Sequence, residues 1–156
     1  MPRKFSAQLM TPQGVKYEGE VIYLRLPALD GSFGVEAGHA SLIAALAPGE
    51  ILVTPGLHET PIAYANGGGV VEVRDNRALV LADSLETPEE IDAERAREAA
   101  DRARERLATK AGENFDAGRA EAALERALVR LKVAERPSGR GESPIPPADD
   151  AGRVEV

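Results

Sequence analysis

The stretch SLETPEE, residues 84–90, divides the sequence into two kinds of structure. Before it, residues 1–86 contain ten of the 15 glycines, six of the 11 prolines and 16 charged residues. After it, residues 87–136 contain two glycines, one proline, 13 alanines and 23 charged residues. Glycine and proline favour turns between short strands, whereas alanine among many charges is typical of exposed helices. The sequence therefore predicts a strand-rich domain over residues 1–86 and a helical domain over residues 87–136.

Residues 1–86 show the period of two that is typical of β-strands. Apolar residues recur at every second position of residues 5–9, and Ile22, Leu24 and Leu26 share one face of a second alternating segment. Further strands are predicted at residues 51–54, 61–66, 70–74 and 78–82, with turn-forming residues between them. About eight short strands at this spacing predict an antiparallel β-sandwich.

The helical domain is predicted to be an antiparallel hairpin. Thr87 is the predicted cap of its first helix, with Pro88 at the first helical position and Glu90 completing a capping box. Gly112 is predicted to end this helix, and Asp116 to cap a second one that ends before Pro137. Apolar residues recur at i, i+3, i+4 and i+7 in both helices. They are Ala96, Ala99, Ala100, Ala103 and Leu107 in the first, and Ala120, Ala123, Leu124, Ala127, Leu128 and Leu131 in the second.

The predicted fold class is thus α+β, an N-terminal antiparallel sandwich followed by a C-terminal two-helix hairpin. Residues 137–156 are rich in proline, glycine and charge, and their apolar content is too small to offset the entropy of ordering. We expect a flexible tail there.

The composition argues against several classes of function. The sequence has no cysteine, so it offers no thiolate zinc site and no thiol nucleophile. Its longest apolar run, residues 42–47, is shorter than the roughly 18 residues of a membrane span, and no apolar signal core follows the first residues. A formal net charge of −7 argues against nucleic acid as a partner, and two histidines without an acidic cluster argue against a metal site.

Catalytic motifs are also missing from the sequence. The triple glycine at 67–69 is followed by a strand-like segment instead of the Lys-Ser/Thr and helix of a phosphate-binding loop, so we interpret it as a turn or bulge. No Gly-x-Ser-x-Gly nucleophile motif occurs. The sequence therefore offers no constellation of residues that would support a hydrolase.

A long motif identifies a related family. The stretch GSFGVEAGHASLIAALAPGEI, residues 31–51, resembles the signature loop of the epsilon subunit of F-type ATP synthases. The segments YANGGGVVEV (64–73), VLAD (80–83) and IDAERA (91–96) are similar to further parts of that family, so that the resemblance covers roughly residues 4–135. Ala37 and Ser41 stand where the family usually has proline, which predicts a less rigid loop.

The resemblance implies a fold and a role. Family members have an N-terminal sandwich and a C-terminal helical hairpin, and they are non-catalytic rotor subunits. They join the gamma subunit to the proton-carrying ring of the membrane sector, at the cytoplasmic face of a bacterial plasma membrane. Their hairpin either lies folded on the sandwich or extends to the beta subunits of the catalytic head and blocks ATP hydrolysis. One alternative is a stand-alone ATP-binding sensor. A coiled-coil adaptor is a weaker alternative, because residues 87–136 have no sustained heptads.

The first candidate site is a regulatory ATP site on the hairpin. In some family members the folded hairpin binds ATP through an Ile/Leu-Asp-x-x-Arg-Ala motif, which is matched here position by position. Further residues lie at spacings similar to the remaining contacts, and arginine suits phosphate groups. The predicted ATP contacts are Glu86, Ile91, Asp92, Arg95, Ala96, Arg102, Arg126 and Arg130. The alternative is a solvated helix face of paired arginine and glutamate.

The second candidate site is the signature loop. The resemblance places this loop at the end of the sandwich that faces the membrane ring. The residues that it implies as ring contacts are Ser32, His39, Ala40, Ser41 and Leu42. For His39 the alternative is a hydrogen bond that ties down the loop.

Overall fold

The computed structural model describes residues 1–110, 112 and 114–137. The described residues form ten strands and two helices, followed here in chain order. These are β1 Phe5–Thr11, β2 Gly14–Val21, β3 Tyr23–Ala28, β4 Gly31–Val35, β5 Leu42–Leu46, β6 Gly49–Thr54, β7 Ile62–Asn66, β8 Gly69–Arg74, β9 Arg77–Ala82, β10 Leu85–Glu86, α1 Ala93–Thr109 and α2 Ala117–Ala134. The predicted flexible tail lies outside the described residues, except for Pro137.

The strands form two packed sheets, which confirms the predicted sandwich. The first sheet has the order β2-β1-β9-β8-β5, and the second sheet has the order β10-β7-β6-β3-β4. Their inward side chains, among them Leu9, Leu24, Ile51 and Val80, are fully buried. Pairing is antiparallel throughout the described strands except between β1 and β9, which run parallel with Ala7 opposite Ala78. The sequence pattern did not reveal this parallel pair, because the period of two is the same in both pairing modes.

Four of the described strands were missed by the sequence analysis. The segments Gly14–Val21, Gly31–Val35, Leu42–Leu46 and Leu85–Glu86 are strands β2, β4, β5 and β10, and each lies at the edge of a sheet. Edge strands bury fewer side chains, so the alternation of apolar and polar residues is weaker there. The expected face of Ile22 with Leu24 was also wrong: the strand breaks at Ile22, where the chain crosses from the first sheet to the second.

The glycine-rich connection and the β8–β9 hairpin depend on positive φ angles. Gly67 and Gly68 link β7 to β8, and Gly69 opens β8 with a φ of 150°. A strand therefore follows these glycines, as expected. Between β8 and β9, Asp75 (φ 51°) and Asn76 (φ 58°) form a two-residue turn, the kind that matches the twist of an antiparallel hairpin.

The start of α1 differs from the prediction. The capping-box bond does form, since the Thr87 amide donates to Glu90 Oε2 at 2.9 Å, but it closes a single turn outside the helix. The helix begins at Ala93, where Asp92 is the cap and its Oδ1 accepts from the Arg95 amide at 3.0 Å. Between the two caps, Ile91 packs against the second sheet, and this contact redirects the chain before the helix begins.

The end of α1 also differs from the prediction, whereas the start of α2 agrees with it. α1 ends at Thr109 because Lys110 adopts the left-handed conformation (φ 43°) and donates its amide to Arg106 O. Gly112 lies beyond this cap. Asp116 caps α2 as predicted, with Oδ1 accepting from the Arg119 amide at 3.0 Å. In the described part of the chain, neither helix has the length and apolar character needed to cross a bilayer.

The hairpin lies on the outer face of the second sheet. Its helices bury small residues against each other and the sheet, namely Ala96, Ala100, Ala103, Ala120, Ala127 and Val133. Val133 of α2 forms an apolar cluster with Ala63 and Ala65 of β7, and Leu52 and Val129 pack against it. Small side chains allow close approach but remove little area from water, so this contact is a weak one.

We predict that Gly69→Ala destabilises the fold by about 3 kcal/mol or more, measured by urea unfolding. A Cβ atom at Gly69 would lie 2.2 Å from the Leu81 carbonyl oxygen, in addition to the strain of a positive φ. Gly14→Ala is the matched control, because Gly14 has a φ of 133° and no atom within 4 Å of such a Cβ. It should cost only about 1 to 2 kcal/mol. Equal losses in the two variants would show that the backbone contact is not the cause.

Candidate functional site

The hairpin is attached to the sandwich most firmly at Glu50 of β6. Its side chain is only 3% exposed and accepts hydrogen bonds from two arginines. Arg25 of β3 donates Nη2 to Oε1 at 2.6 Å, and Arg136, which follows α2, donates Nε and Nη2 to the two oxygens at 2.8 Å each. The Glu50 carboxylate raises the pKa of the Arg136 guanidinium through these bonds. This two-point geometry fixes the end of α2 on the second sheet.

Two more ion pairs involve the segment that precedes the cap of α1. Arg130 of α2 contacts Glu86 of β10 with 2.5 Å between Nε and Oε2, and both side chains are about one-third exposed. Lys16 of β2 contacts Glu90 with 2.9 Å between Nζ and Oε1. Partly exposed pairs of this kind each contribute about 0 to 1 kcal/mol, because water and salt screen them.

A cleft of about 500 Å³ lies between these attachments. Its lining comes from the end of the sandwich, from the segment before α1 and from both helices. The lining residues are Glu86, Glu90, Asp92, Arg95, Ala96, Ala99, Arg102 and Arg130. Six of the eight predicted ATP contacts are among them, so the fold brings together residues 86–102 and a side chain 28 positions further along the chain.

The other two predicted ATP contacts lie elsewhere. Ile91 is directed into the apolar contact beside Val133, and Arg126 is half-buried on α2 outside the cleft lining. Glu90 and Ala99 line the cleft and were not predicted as contacts. The sequence did single out both residues for other reasons, Glu90 for the capping box and Ala99 for the helix stripe, but neither signal points to a cleft.

The charges in the cleft are balanced, with three arginines and three carboxylates. Arg130 is already paired with Glu86, and Arg102 lies 3.8 Å from Glu98. Arg95 lies on the exposed face of α1 and makes no ion pair within the described residues. The carboxylates do not form a metal-binding group, since no cluster of three or more His, Asp or Glu side chains occurs in the part of the chain that the structure describes. The cleft can therefore hold an anion at Arg95 and polar groups at its acidic end.

The residues predicted as ring contacts flank strand β4. Ser32 lies near the β3–β4 turn, at the start of β4, whereas His39, Ala40, Ser41 and Leu42 follow the other end of β4. The three strand residues after Ser32 span about 10 Å. The expectation that both groups face the ring from one end of the sandwich stays a prediction. His39 makes a hydrogen bond inside the loop: its Nδ1 lies 2.8 Å from Ala40 O and donates, because a carbonyl only accepts.

Comparison with known proteins decides the family. The model of the beta-sandwich domain of the ATP synthase delta/epsilon chain matches residues 4–88. The model of the long alpha-helix domain of the same chain matches residues 89–135. The chain belongs to the ATP synthase delta/epsilon family. The predicted resemblance is thereby confirmed.

The match between this chain and its named relatives covers nearly the whole length of each relative. The ATP synthase epsilon chain of Halalkalibacterium halodurans is 41% identical over 128 residues, which cover 82% of this chain and 95% of the relative. That of Shouchella clausii is 40% identical over 127 residues, covering 81% and 92%. Among solved structures, a chain of the Euglena gracilis mitochondrial ATP synthase has a TM-score of 0.74 at 25% identity, covering 86% of this chain and 82% of that one.

We predict that Glu90→Gln makes the free energy of unfolding less dependent on acidic pH. Burial by itself raises the pKa of Glu90, but hydrogen bonds from Thr87 and Lys16 outweigh it and lower the pKa below its ordinary value of 4.5. A lowered pKa in the folded state means that the charged carboxylate stabilises the fold above the ordinary pKa. This stabilisation is lost as the pH falls through the folded-state pKa.

Urea titrations between about pH 3 and pH 7 measure this dependence. Glu121→Gln, at an exposed position of α2, is the control and should leave the pH profile of the parent protein unchanged. A Glu90→Gln profile that superimposes on that of the control would contradict the prediction.

Proposed function

We propose that this chain is a non-catalytic rotor subunit of the central stalk of a proton-translocating ATP synthase, peripheral at the cytoplasmic face of the membrane. The observation that carries the proposal is a rigid sandwich with a hairpin held on it by a few separable contacts. Family membership and the likeness to a chain of the Euglena synthase support it. In this proposal the sandwich transmits torque and the hairpin regulates hydrolysis.

The outer face of the first sheet is the proposed contact with the gamma subunit. Val70 of β8 and Leu81 of β9 are register partners and are 36% and 47% exposed. Ile43 of the edge strand β5 lies on the same face and is 74% exposed. Apolar side chains gathered on one exposed sheet face are typical of a protein interface. The loop residues His39 to Ser41 lead into β5 beside this face, and Leu42 anchors them by packing against the core. These four residues are therefore assigned to the gamma contact as well.

The β3–β4 turn is the proposed contact with the membrane ring. Leu29 at this turn is 84% exposed and lies close in sequence to Ser32. Since β4 separates this turn from the β4–β5 loop, the two predicted contact groups serve different partners. The proposal thus keeps Ser32 as a ring contact and reassigns the other four residues.

The hairpin is proposed to switch between a docked and an extended state. Its apolar contact with the sheet consists of two alanines and a few larger side chains, at about 0.8 kcal/mol for each buried methyl-sized group. The Lys16 and Arg130 ion pairs add little, so the two states differ by only a few kcal/mol. In the extended state the arginines of both helices become available to acidic surfaces of the beta subunits, where the hairpin blocks ATP hydrolysis.

ATP is the proposed ligand of the docked state. The cleft requires Glu86 of the sandwich, Arg95 of α1 and Arg130 of α2 at the same time, so it exists only while the hairpin is docked. A ligand that binds only this state stabilises it by about 2.7 kcal/mol at 100 times its dissociation constant. High ATP would then keep the hairpin docked, and low ATP would release it.

We predict that ATP titrated into the purified chain gives a binding heat that Arg95→Ala weakens about tenfold. Arg97→Ala is the matched control on the same helix, since Arg97 pairs with Glu94 and does not line the cleft. Arg126→Ala should have a smaller effect than Arg95→Ala, because Arg126 lies outside the cleft lining. Calorimetry that detects no heat at about millimolar nucleotide would remove the ATP site and leave the rotor role in place.

We predict that Glu50→Gln favours the extended hairpin and lowers ATP hydrolysis by the assembled synthase severalfold at low ATP. The variant removes the charge shared by Arg25 and Arg136, and it costs docking about 1 to 2 kcal/mol because Arg136 is 40% exposed. Glu20→Gln, at an exposed position of β2, should leave hydrolysis unchanged. Deletion of residues 87–156, which removes the hairpin, should relieve the inhibition of ATP hydrolysis seen with Glu50→Gln and with Glu20→Gln.

Two results would contradict these assignments. If Glu50→Gln raised hydrolysis, the docked hairpin would be the inhibitory state. If the tagged full-length chain failed to recover the gamma subunit from the synthase, the rotor role would be wrong and the stand-alone sensor would stand.

A further inference from the structure

We propose that Asn76 is a positioning residue that holds the β4–β5 loop, residues 36–41, in the shape that contacts the gamma subunit. The proposal rests on the assignment of that loop to gamma above. It adds a residue that lies 35 positions beyond the loop in sequence and outside the signature motif.

Asn76 connects three segments at one end of the sandwich. Its Oδ1 accepts from the amide of Gly38 in the loop at 2.9 Å. Its Nδ2 donates to Lys4 O at 3.0 Å, and its own carbonyl accepts from the Ser6 amide at 3.1 Å. One residue of the β8–β9 turn thus ties the loop to the start of β1, a strand whose inward side chains are fully or almost fully buried.

The loop has few other attachments. Its remaining hydrogen bonds in the described structure are internal, from the His39 amide to Glu36 O and between His39 Nδ1 and Ala40 O. Ala37 packs against the core with a single methyl group. The bond from Gly38 to Asn76 is therefore the hydrogen bond that joins the loop to another element, within the residues described.

Asparagine suits this position for two physical reasons. Its backbone has a φ of 58°, a left-handed conformation that asparagine tolerates better than most residues. Its side-chain amide also supplies one acceptor and one donor, which match the Gly38 amide and the Lys4 carbonyl. Asp75 beside it has a similar φ of 51° but makes neither bond, so the tether belongs to the Asn76 side chain and not to the turn.

The position of the tether links it to partner binding. Beyond Gly38 the loop continues through exposed Ala40 and Ser41 into β5, where Ile43 begins the apolar face. Gly38 itself has a φ of 81°, so its peptide orientation sets the path of the residues that follow. If the Gly38 amide is already held in place before binding, less conformational entropy is lost when the loop contacts gamma.

The test compares three variants of the full chain. Asn76→Gly keeps the left-handed turn and removes both side-chain bonds. Asn76→Asp keeps the acceptor for Gly38 and loses the donor to Lys4. Asp75→Gly relaxes the neighbouring turn position and keeps the tether. Amide exchange by NMR reports the Gly38 bond, and biolayer interferometry reports affinity for an immobilised catalytic sector that contains gamma and lacks this chain.

Asn76→Gly should speed exchange of the Gly38 amide and weaken binding, each roughly five- to tenfold. Asn76→Asp should retain Gly38 protection and recover most of the affinity, and Asp75→Gly should match the parent in both. Unchanged Gly38 exchange in Asn76→Gly overturns the tether. Faster exchange with unchanged affinity overturns its role in positioning.

Two further outcomes separate the tether from the rest of the proposal. If the parent chain does not bind the catalytic sector at all, the proposed rotor role fails, and this is independent of Asn76. If Asn76→Gly does not fold, Asn76→Asp decides, since loss of Gly38 protection or of affinity in that variant contradicts the inference.

Discussion

A buried carboxylate joins the two parts of this molecule. Glu50 faces outward from β6 under the hairpin, where its side chain is almost completely removed from water. A carboxylate in that position requires a cation, because an unpaired buried charge is strongly destabilising. Arg25 supplies one from within the sheet, and Arg136 supplies a second only when α2 is docked. In the proposed switch, loss of Arg136 on release of the hairpin would be tolerated, because Glu50 would remain paired with Arg25.

The rest of the hairpin interface is built from small side chains, and this determines how strongly it holds. Ala63 and Ala65 on the sheet allow α2 to approach closely, and so do Ala100 and Ala103 between the two helices, but these small side chains bury little area. The same choice leaves room at the end of the interface for a polar cleft, where larger apolar residues would have closed it. A weak interface and an open cleft therefore have one cause, and in the proposed switch a ligand of that cleft would act on two states of similar free energy.

Sequence reasoning succeeded where a pattern reflects burial. The period of two in residues 5–9 records which side chains face the core, and the structure buries those side chains. The alanine spacing of α1 is confirmed at Ala96, Ala100 and Ala103. In α2 the predicted stripe was wrong at Leu128, which is 41% exposed. It failed where local chemistry allowed two outcomes: the capping box at Thr87 forms its bond, yet Asp92 caps the helix. It also missed a pairing between strands that are far apart in sequence. The parallel pair of β1 and β9 has the same period of two as an antiparallel pair, so the pattern does not distinguish them.

The two kinds of attachment in this chain suit two opposite mechanical requirements. A subunit that passes torque must be stiff at its partner contacts, and the Asn76 bonds join a loop to a fully paired strand without any ion pair that salt would screen. A regulatory arm must be releasable, and its outer attachments through Lys16 and Arg130 are partly exposed ion pairs, which are weak and screened. In the proposed function, neutral hydrogen bonds at the loop and charged pairs at the hairpin would allow the hairpin to leave while the proposed contact surface for gamma keeps its shape.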